Sequence, residues 1–260
     1  MPIAEFLEPI LIFVFGMPRI LAVFAMLPIF NRSVLPGRTL AAFATSLMLF
    51  LYPVYSFGID LDAYSALQLT TIVVKEVVIG ILLGFGFSIL FWAVESAGFV
   101  IDNQRGSTMA SSVDPMTGSQ TSPLGIFLML VLSTFFMIGG GFFIMLLVIY
   151  ESYMVMPVFV FVPELNPQGT LYFISILDRI MVLAMVLAAP ALIAMFLAEF
   201  GLGLISRFAP QLNVFFLSMP VKSAVGIFIL VLYVGLLQEI WGDEFATMPA
   251  QLTILRDLLQ

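Results

Sequence analysis

Six long apolar runs, at residues 10–30, 40–57, 69–94, 124–150, 180–198 and 214–237, leave this chain little choice of fold. Each is near or above the roughly 20 residues that a helix needs to cross ~30 Å of hydrocarbon. A segment surrounded by lipid must satisfy its own backbone. Barrel strands would show alternation over ~10 residues, which these runs lack. The expected fold is therefore an all-α integral membrane protein of about six long, kinked hydrophobic helices. Kinks are expected first in the first run, which Gly16, Pro18, Arg19 and Pro28 interrupt. Composition excludes a soluble domain: 62% of residues are hydrophobic and 10% charged, where soluble domains carry about a quarter charged.

The charges are few and spread thinly. Nine basic and 16 acidic residues give a net charge of -7 with no basic run, so neither nucleic acid nor an anionic lipid patch has a footing here. The chain has no Cys and no His, which removes thiol chemistry, disulfides and the commonest metal ligands together. No cofactor is implied. The N-terminus lacks a basic region and carries Glu5 and Glu8, unlike a cleaved signal peptide. Arg32, Arg38, Arg105 and Arg207 fall in the first, third and fifth loops, whereas Asp60, Asp62, Glu151 and Glu164 mark the second and fourth. The positive-inside rule then puts the odd loops in the cytoplasm and both termini outside.

One connection differs from the rest. Residues 101–125, IDNQRGSTMASSVDPMTGSQTSPLG, are too polar to cross a bilayer and too poor in apolar groups to order themselves. Asp114-Pro115 and Thr117-Gly118 are turn signals, so this is a structured, functional loop. Within the apolar runs, Gly80 and Gly84 form a small-xxx-small pattern suited to close helix packing, or else an isolated flexible pair. Gly139, Gly140 and Gly141 point to a helix break or a close backbone contact. The charged candidates are Lys75, Glu76, Glu95, Asp178, Arg179, Glu199 and Lys222. Lys75 can snorkel to an interface, and Asp178 suits a helix N-terminus. If the last two helices turn back at about Pro210, Glu199 and Lys222 lie at equal depth on facing arms. A buried ion pair is the preferred reading; the other is that each faces a different neighbour or water. An ion-coupled secondary transporter could use Glu95, Glu199 and Lys222, although no convincing inverted repeat is visible. No nucleophile and base can be nominated for an enzyme.

The segments ESAGFVIDNQRGSTMASSVDPMTGSQTSPLG (95–125) and FLAEFGLGLISRFAPQLNVFFLSMPVKS (196–223) resemble the FliR/SctT family, the export-gate subunit of bacterial type III secretion systems. IDNQRG and SRFAPQLN resemble the injectisome SctT branch more than the flagellar FliR branch. Most of the chain takes part, but the stretch from Trp241 onward does not. The resemblance implies a multi-pass protein of the bacterial inner membrane, with residues 1–170 a FliP-like part and residues 171–260 a FliQ-like helical hairpin with a tail. It implies assembly with SctR/FliP and SctS/FliQ homologues, beside an SctU/FlhB homologue, around a channel for unfolded secreted proteins. Gly106, Ser107, Thr108, Met109, Ala110, Ser111, Ser112, Val113, Asp114, Pro115, Met116, Thr117 and Gly118 would then form the plug that closes the pore. Small neutral side chains suit that role, since they can be displaced without stranding a buried ion. The plain reading of the same loop is an exposed connector.

Overall fold

The computed structural model describes residues 2–30, 35–55, 61–107, 122–160, 167–209, 211 and 213–258. Among them are seven α-helices and no strand. They are α1 (Pro2–Met26), α2 (Gly37–Tyr55), α3 (Ala66–Gln104), α4 (Pro123–Ile138), α5 (Gly141–Val155), α6 (Pro167–Phe208) and α7 (Val214–Leu258). Three stretches are long and apolar enough to cross a membrane: Ala66–Gln104, Leu177–Phe208 and Val214–Pro249. The broken pair α4 and α5 makes a fourth if it counts as one span. The fold is all-α, and the chain is a multi-pass membrane protein.

Local chemistry sets the helix ends. Ser65 and Gln68 open α3 with a capping box: the Ser65 amide donates to Gln68 Oε1 at 2.8 Å and the Gln68 amide to Ser65 Oγ at 3.4 Å. Gly106, at φ +82°, closes it in the left-handed conformation that a glycine adopts without strain. Ser122 caps α4 by accepting from the Gly125 amide at 2.9 Å, and Pro123 follows at the first turn, where its missing N–H costs nothing. The fourth apolar run breaks at Gly139 and Gly140, the latter at φ +85°, which is why one run in the sequence becomes two helices. The first run does the reverse. Gly16, Pro18 and Arg19 leave α1 continuous, and it ends only at Met26, before a 3-10 turn at Pro28–Phe30.

The chain divides into two compact units, and α3 contributes its first part to one and its last part to the other. The first unit comprises Met1–Ile89, Gly140–Ile174 and Phe245–Gln260. Its core includes Ile20, Val23, Phe24, Met48, Ile72, Met145, Ile149 and Tyr153. Glu76, Gly80, Gly84 and Ser88, spaced four apart on one face of α3, meet α1. A β-carbon at Gly80 would collide with the Arg19 carbonyl and lie 2.7 Å from Ala22 Cβ, and one at Gly84 would lie 2.8 Å from Met26 Cβ. Ser88 Oγ donates to the Met26 carbonyl at 2.8 Å. The glycines let the two backbones approach closely enough for these contacts.

The second unit comprises Leu90–Gly139 and Ser175–Glu244. Phe91, Val94, Ile101, Leu132, Phe136, Ala188, Ala191, Met195 and Trp241 are buried there, with Phe91 edge-on to Phe136 at 5.5 Å between ring centroids. The end of α3 crosses α4 where a β-carbon at Gly98 would strike the Gly125 backbone. Over an 18-residue apolar stretch of each of the spans Leu177–Phe208 and Val214–Pro249, only 33% and 22% is buried, so most of that apolar surface is left for lipid or other chains.

Candidate functional site

A buried ion cluster lies inside the first unit. Arg19 presents its guanidinium fork to Glu76, with Nε 2.8 Å from Oε2 and Nη2 2.9 Å from Oε1. That bidentate match is what a planar guanidinium offers and an ammonium does not. Nη1 donates to Ser152 Oγ at 3.1 Å and Nη2 to the Met156 carbonyl at 2.7 Å, while the guanidinium carbon sits 4.2 Å from the Tyr153 ring centroid. Lys75 stands beside it, with Nζ 3.0 Å from Glu76 Oε1. Its Nζ also donates to the carbonyls of Pro157, Val158 and Val160 at 2.9, 2.6 and 3.0 Å. These carbonyls follow the C-terminus of α5, where unpaired acceptors and the negative dipole end favour cations. Lys75 therefore does not snorkel outward. It is 8% exposed and spends its donors inside the unit.

In the second unit, one carboxylate ties both flanks of the polar loop. Asp102, 1% exposed near the end of α3, accepts through Oδ2 from Ser122 Oγ at 2.6 Å and from the Leu124 amide at 3.0 Å. Ser107 Oγ donates to the Asp102 carbonyl at 3.0 Å. Arg105 Nη2 lies 2.6 Å from Oδ1 but off the direction of a hydrogen bond, so that contact is ionic. Residues 102–107 and 122–124 are thus joined at the base of the loop. Of the residues expected to form a plug, Gly106 and Ser107 are part of this base, and Thr108 to Gly118 lie outside the described residues.

The hairpin of α6 and α7 carries three polar rungs, each nearly equidistant in sequence from the turn. Lys222 Nζ lies 3.1 Å from Glu199 Oε1, Tyr233 Oη donates to the Leu187 carbonyl at 2.8 Å, and Arg179 Nη2 lies 2.6 Å from Glu244 Oε2. The expected Glu199 and Lys222 partners do meet in space, but the pair is not buried as a whole. The Lys222 side chain is 11% exposed and that of Glu199 45%. Asp178 is no helix-end group, because α6 begins at Pro167 and has no acid in its first turn. Glu95 is exposed on α3 and, among the described residues, has no hydrogen-bond or ion-pair partner. The described residues include no cluster of three or more carboxylates that could hold a metal ion.

Sequence reasoning misses Arg19 and Asp102 as site residues. Arg19 stands among helix breakers that draw attention first, although a lone cation in an apolar run is itself a signal of internal pairing. Asp102 and Arg105 are legible as an i,i+3 pair, but Ser122, twenty residues on, is not legible as their partner.

The model of the family described as "Bacterial export proteins, family 1" matches residues 10–248, running past Trp241, where the motif resemblance stops. The chain is 45% identical over 235 residues to "Yop proteins translocation protein T" of Yersinia pestis, covering 89% of each protein. It is 33% identical over 219 residues to "Surface presentation of antigens protein SpaR" of Salmonella typhimurium, covering 84% of this chain and 81% of that one. To "Flagellar biosynthetic protein FliR" of Bacillus subtilis it is 28% identical over 231 residues, 88% of each. With a family match over nearly its whole length and higher identity to the translocation proteins than to FliR, this chain belongs to the FliR/SctT family of bacterial export proteins, on its injectisome side.

Proposed function

We propose that this chain is a component of a type III secretion export apparatus and, more specifically, a core subunit of its inner-membrane gate. In this reading it joins SctR and SctS homologues, beside an SctU homologue, around a channel for unfolded proteins. Residues 1–170 act as the FliP-like part and residues 171–260 as the FliQ-like hairpin. The loop from Gly106 to Gly118 closes the pore. Its role is structural rather than enzymatic.

The observation that carries the reading is the Asp102 tie. A connector with no task has no need for a buried carboxylate that fastens both its flanks, whereas a plug must be held at its base while its tip is displaced. Asp102 supplies that base with Ser122, Leu124 and Ser107. The large exposed apolar area of α6 and α7 supports assembly with other membrane subunits. Ion conductance of membranes holding the assembled complex tests the proposal, with residues 108–113 present or deleted. Deletion should leave assembly intact and raise conductance. Equal conductance with assembly intact would assign closure to another subunit.

A further inference from the structure

Glu95 opens onto a groove of about 450 Å³ in the second unit, lined by Phe99, Val100 and Ile126 on one side and by Met181, Ala184 and Met185 on the other. The groove is apolar apart from Glu95, Ser96 and Ser122, and Ser122 is committed to Asp102 and the Gly125 amide. Exposed apolar residues extend it at helical spacing: Ile126 and Leu130 along α4, and Leu177, Met181 and Met185 along α6. Two ridges with a trough between them are what a third helix packs into. The methionines give the wall a surface that adapts to a partner. At the side of this trough sits a carboxylate with no cation of its own among the described residues.

We propose that this groove is the seat for a helix of another subunit, which places a Lys or Arg side chain against Glu95. A carboxylate at an apolar groove loses its hydration once a helix covers it, and it then calls for a cation. A basic side chain supplies it, and the stem carrying that charge packs on Phe99, Ile126 and Met185. The ridges favour a helix over a single lipid molecule, because exposed apolar residues run for about two turns along α6, from Leu177 to Met185, beside the groove. This inference rests on the reading of the chain as one subunit of an export assembly.

The test uses the full chain produced together with its cognate secretion-gate subunits. A photo-crosslinking amino acid at Phe99 should join the chain to one partner, at a helical peptide with a Lys or Arg within one turn. Glu95→Lys should lower recovery of the assembled complex by about tenfold, and Glu95→Gln by less, since a like-charge contact at an interface costs more than a lost one. Reversing the identified partner cation to Glu should restore assembly of Glu95→Lys, an outcome that a folding defect would not give. Glu95 is exposed, so its variants should reach the membrane in normal amounts. Crosslinks to phospholipid alone, or a Glu95→Lys complex recovered at the wild-type level, would overturn the proposal. If the wild-type chain itself forms no complex with those subunits, the export-gate reading fails, and this inference falls with it.

Discussion

The two units treat charge in opposite ways. In the first, Glu76 is flanked by Arg19 and Lys75, and the donors of both cations end on oxygens of the same unit: Ser152 and the carbonyls of Met156, Pro157, Val158 and Val160. In the second, Glu95 has no partner among the described residues, and Glu199 has one while remaining 45% exposed. A buried ion is tolerable only when its charge and its hydrogen-bonding capacity are both met. The first unit meets that condition internally, so its ions serve cohesion. The second pairs Asp102, Glu199 and Glu244 within itself but leaves Glu95 at its surface, where only something outside the unit can complete it.

The comparison breaks most readily at Arg19. Arg19→Ala removes the bidentate partner of Glu76 and the donors to Ser152 Oγ and the Met156 carbonyl, a loss of about 3 to 5 kcal/mol for breaking a buried pair. Thermal unfolding of the full chain in mild detergent should show a much lower midpoint. Arg19→Lys should recover only part of it, since an ammonium cannot reproduce the fork. A midpoint equal to wild type for Arg19→Ala would mean that the cluster is not what holds this unit.

Asp102 comes next, as a carboxylate of the second unit whose Oδ2 is bonded internally to Ser122 and Leu124 and whose Oδ1 takes the ionic contact of Arg105. Asp102→Ala should cost roughly 1.5 to 3 kcal/mol, the range for hydrogen bonds to a charged group. Amide hydrogen exchange should quicken at Leu124. Asp102→Asn keeps an acceptor for Ser122 and Leu124 and should lose less. Unchanged exchange at Leu124 in the Ala variant would remove the tie from the account.

Glycine substitutions sharpen the contrast at a smaller scale. Gly80→Ala forces a methyl into the Arg19 backbone and Ala22, and overpacking of this kind costs about 1 to 3 kcal/mol. At Gly201, by contrast, an added methyl would meet no other group within 4 Å. Gly201→Ala should be neutral or stabilise by up to about 1 kcal/mol through helix propensity. Equal effects at the two sites would show that the close approach of α1 and α3 carries no energy.

The smallest effect belongs to Glu199 and Lys222. Because Glu199 is half open, a double-mutant cycle with Ala should give a coupling of about 1 kcal/mol or less, well below that of a sealed pair. Cycles run on the free chain and on the assembled complex should differ, with the larger coupling where a partner covers Glu199. Strict additivity in both would show that proximity here carries no interaction.

The hairpin pairing is legible in the sequence because register in an antiparallel hairpin follows from the position of the turn. Once the turn near Pro210 is recognised, Glu199 and Lys222 must lie at similar depth. No such rule connects Arg19 to Glu76, or Asp102 to Ser122, because those contacts depend on which faces of separate helices meet. Gly80 and Gly84 announce a close approach but not its partner. The break at Gly139 and Gly140 can be anticipated, since three successive glycines weaken a helix whatever surrounds them. Glu95 is visible as a charge; only the packing of α3, α4 and α6 shows that it stands at a groove without a cation among the described residues.

The sequence by itself determined that this chain is helical and membrane-embedded, because run length, apolar content and the need to satisfy the backbone are properties read along one dimension. It also carried the family, through long motifs and a match across residues 10–248. Only the tertiary structure decided which charges are spent inside and which are left outward. That choice depends on a few ångströms of approach between helices far apart in the chain, as where Gly80 and Gly84 let α1 bring Arg19 to Glu76. The cost of a charge in an apolar medium is set by its nearest oxygens and cations, and those neighbours exist only once the helices have packed.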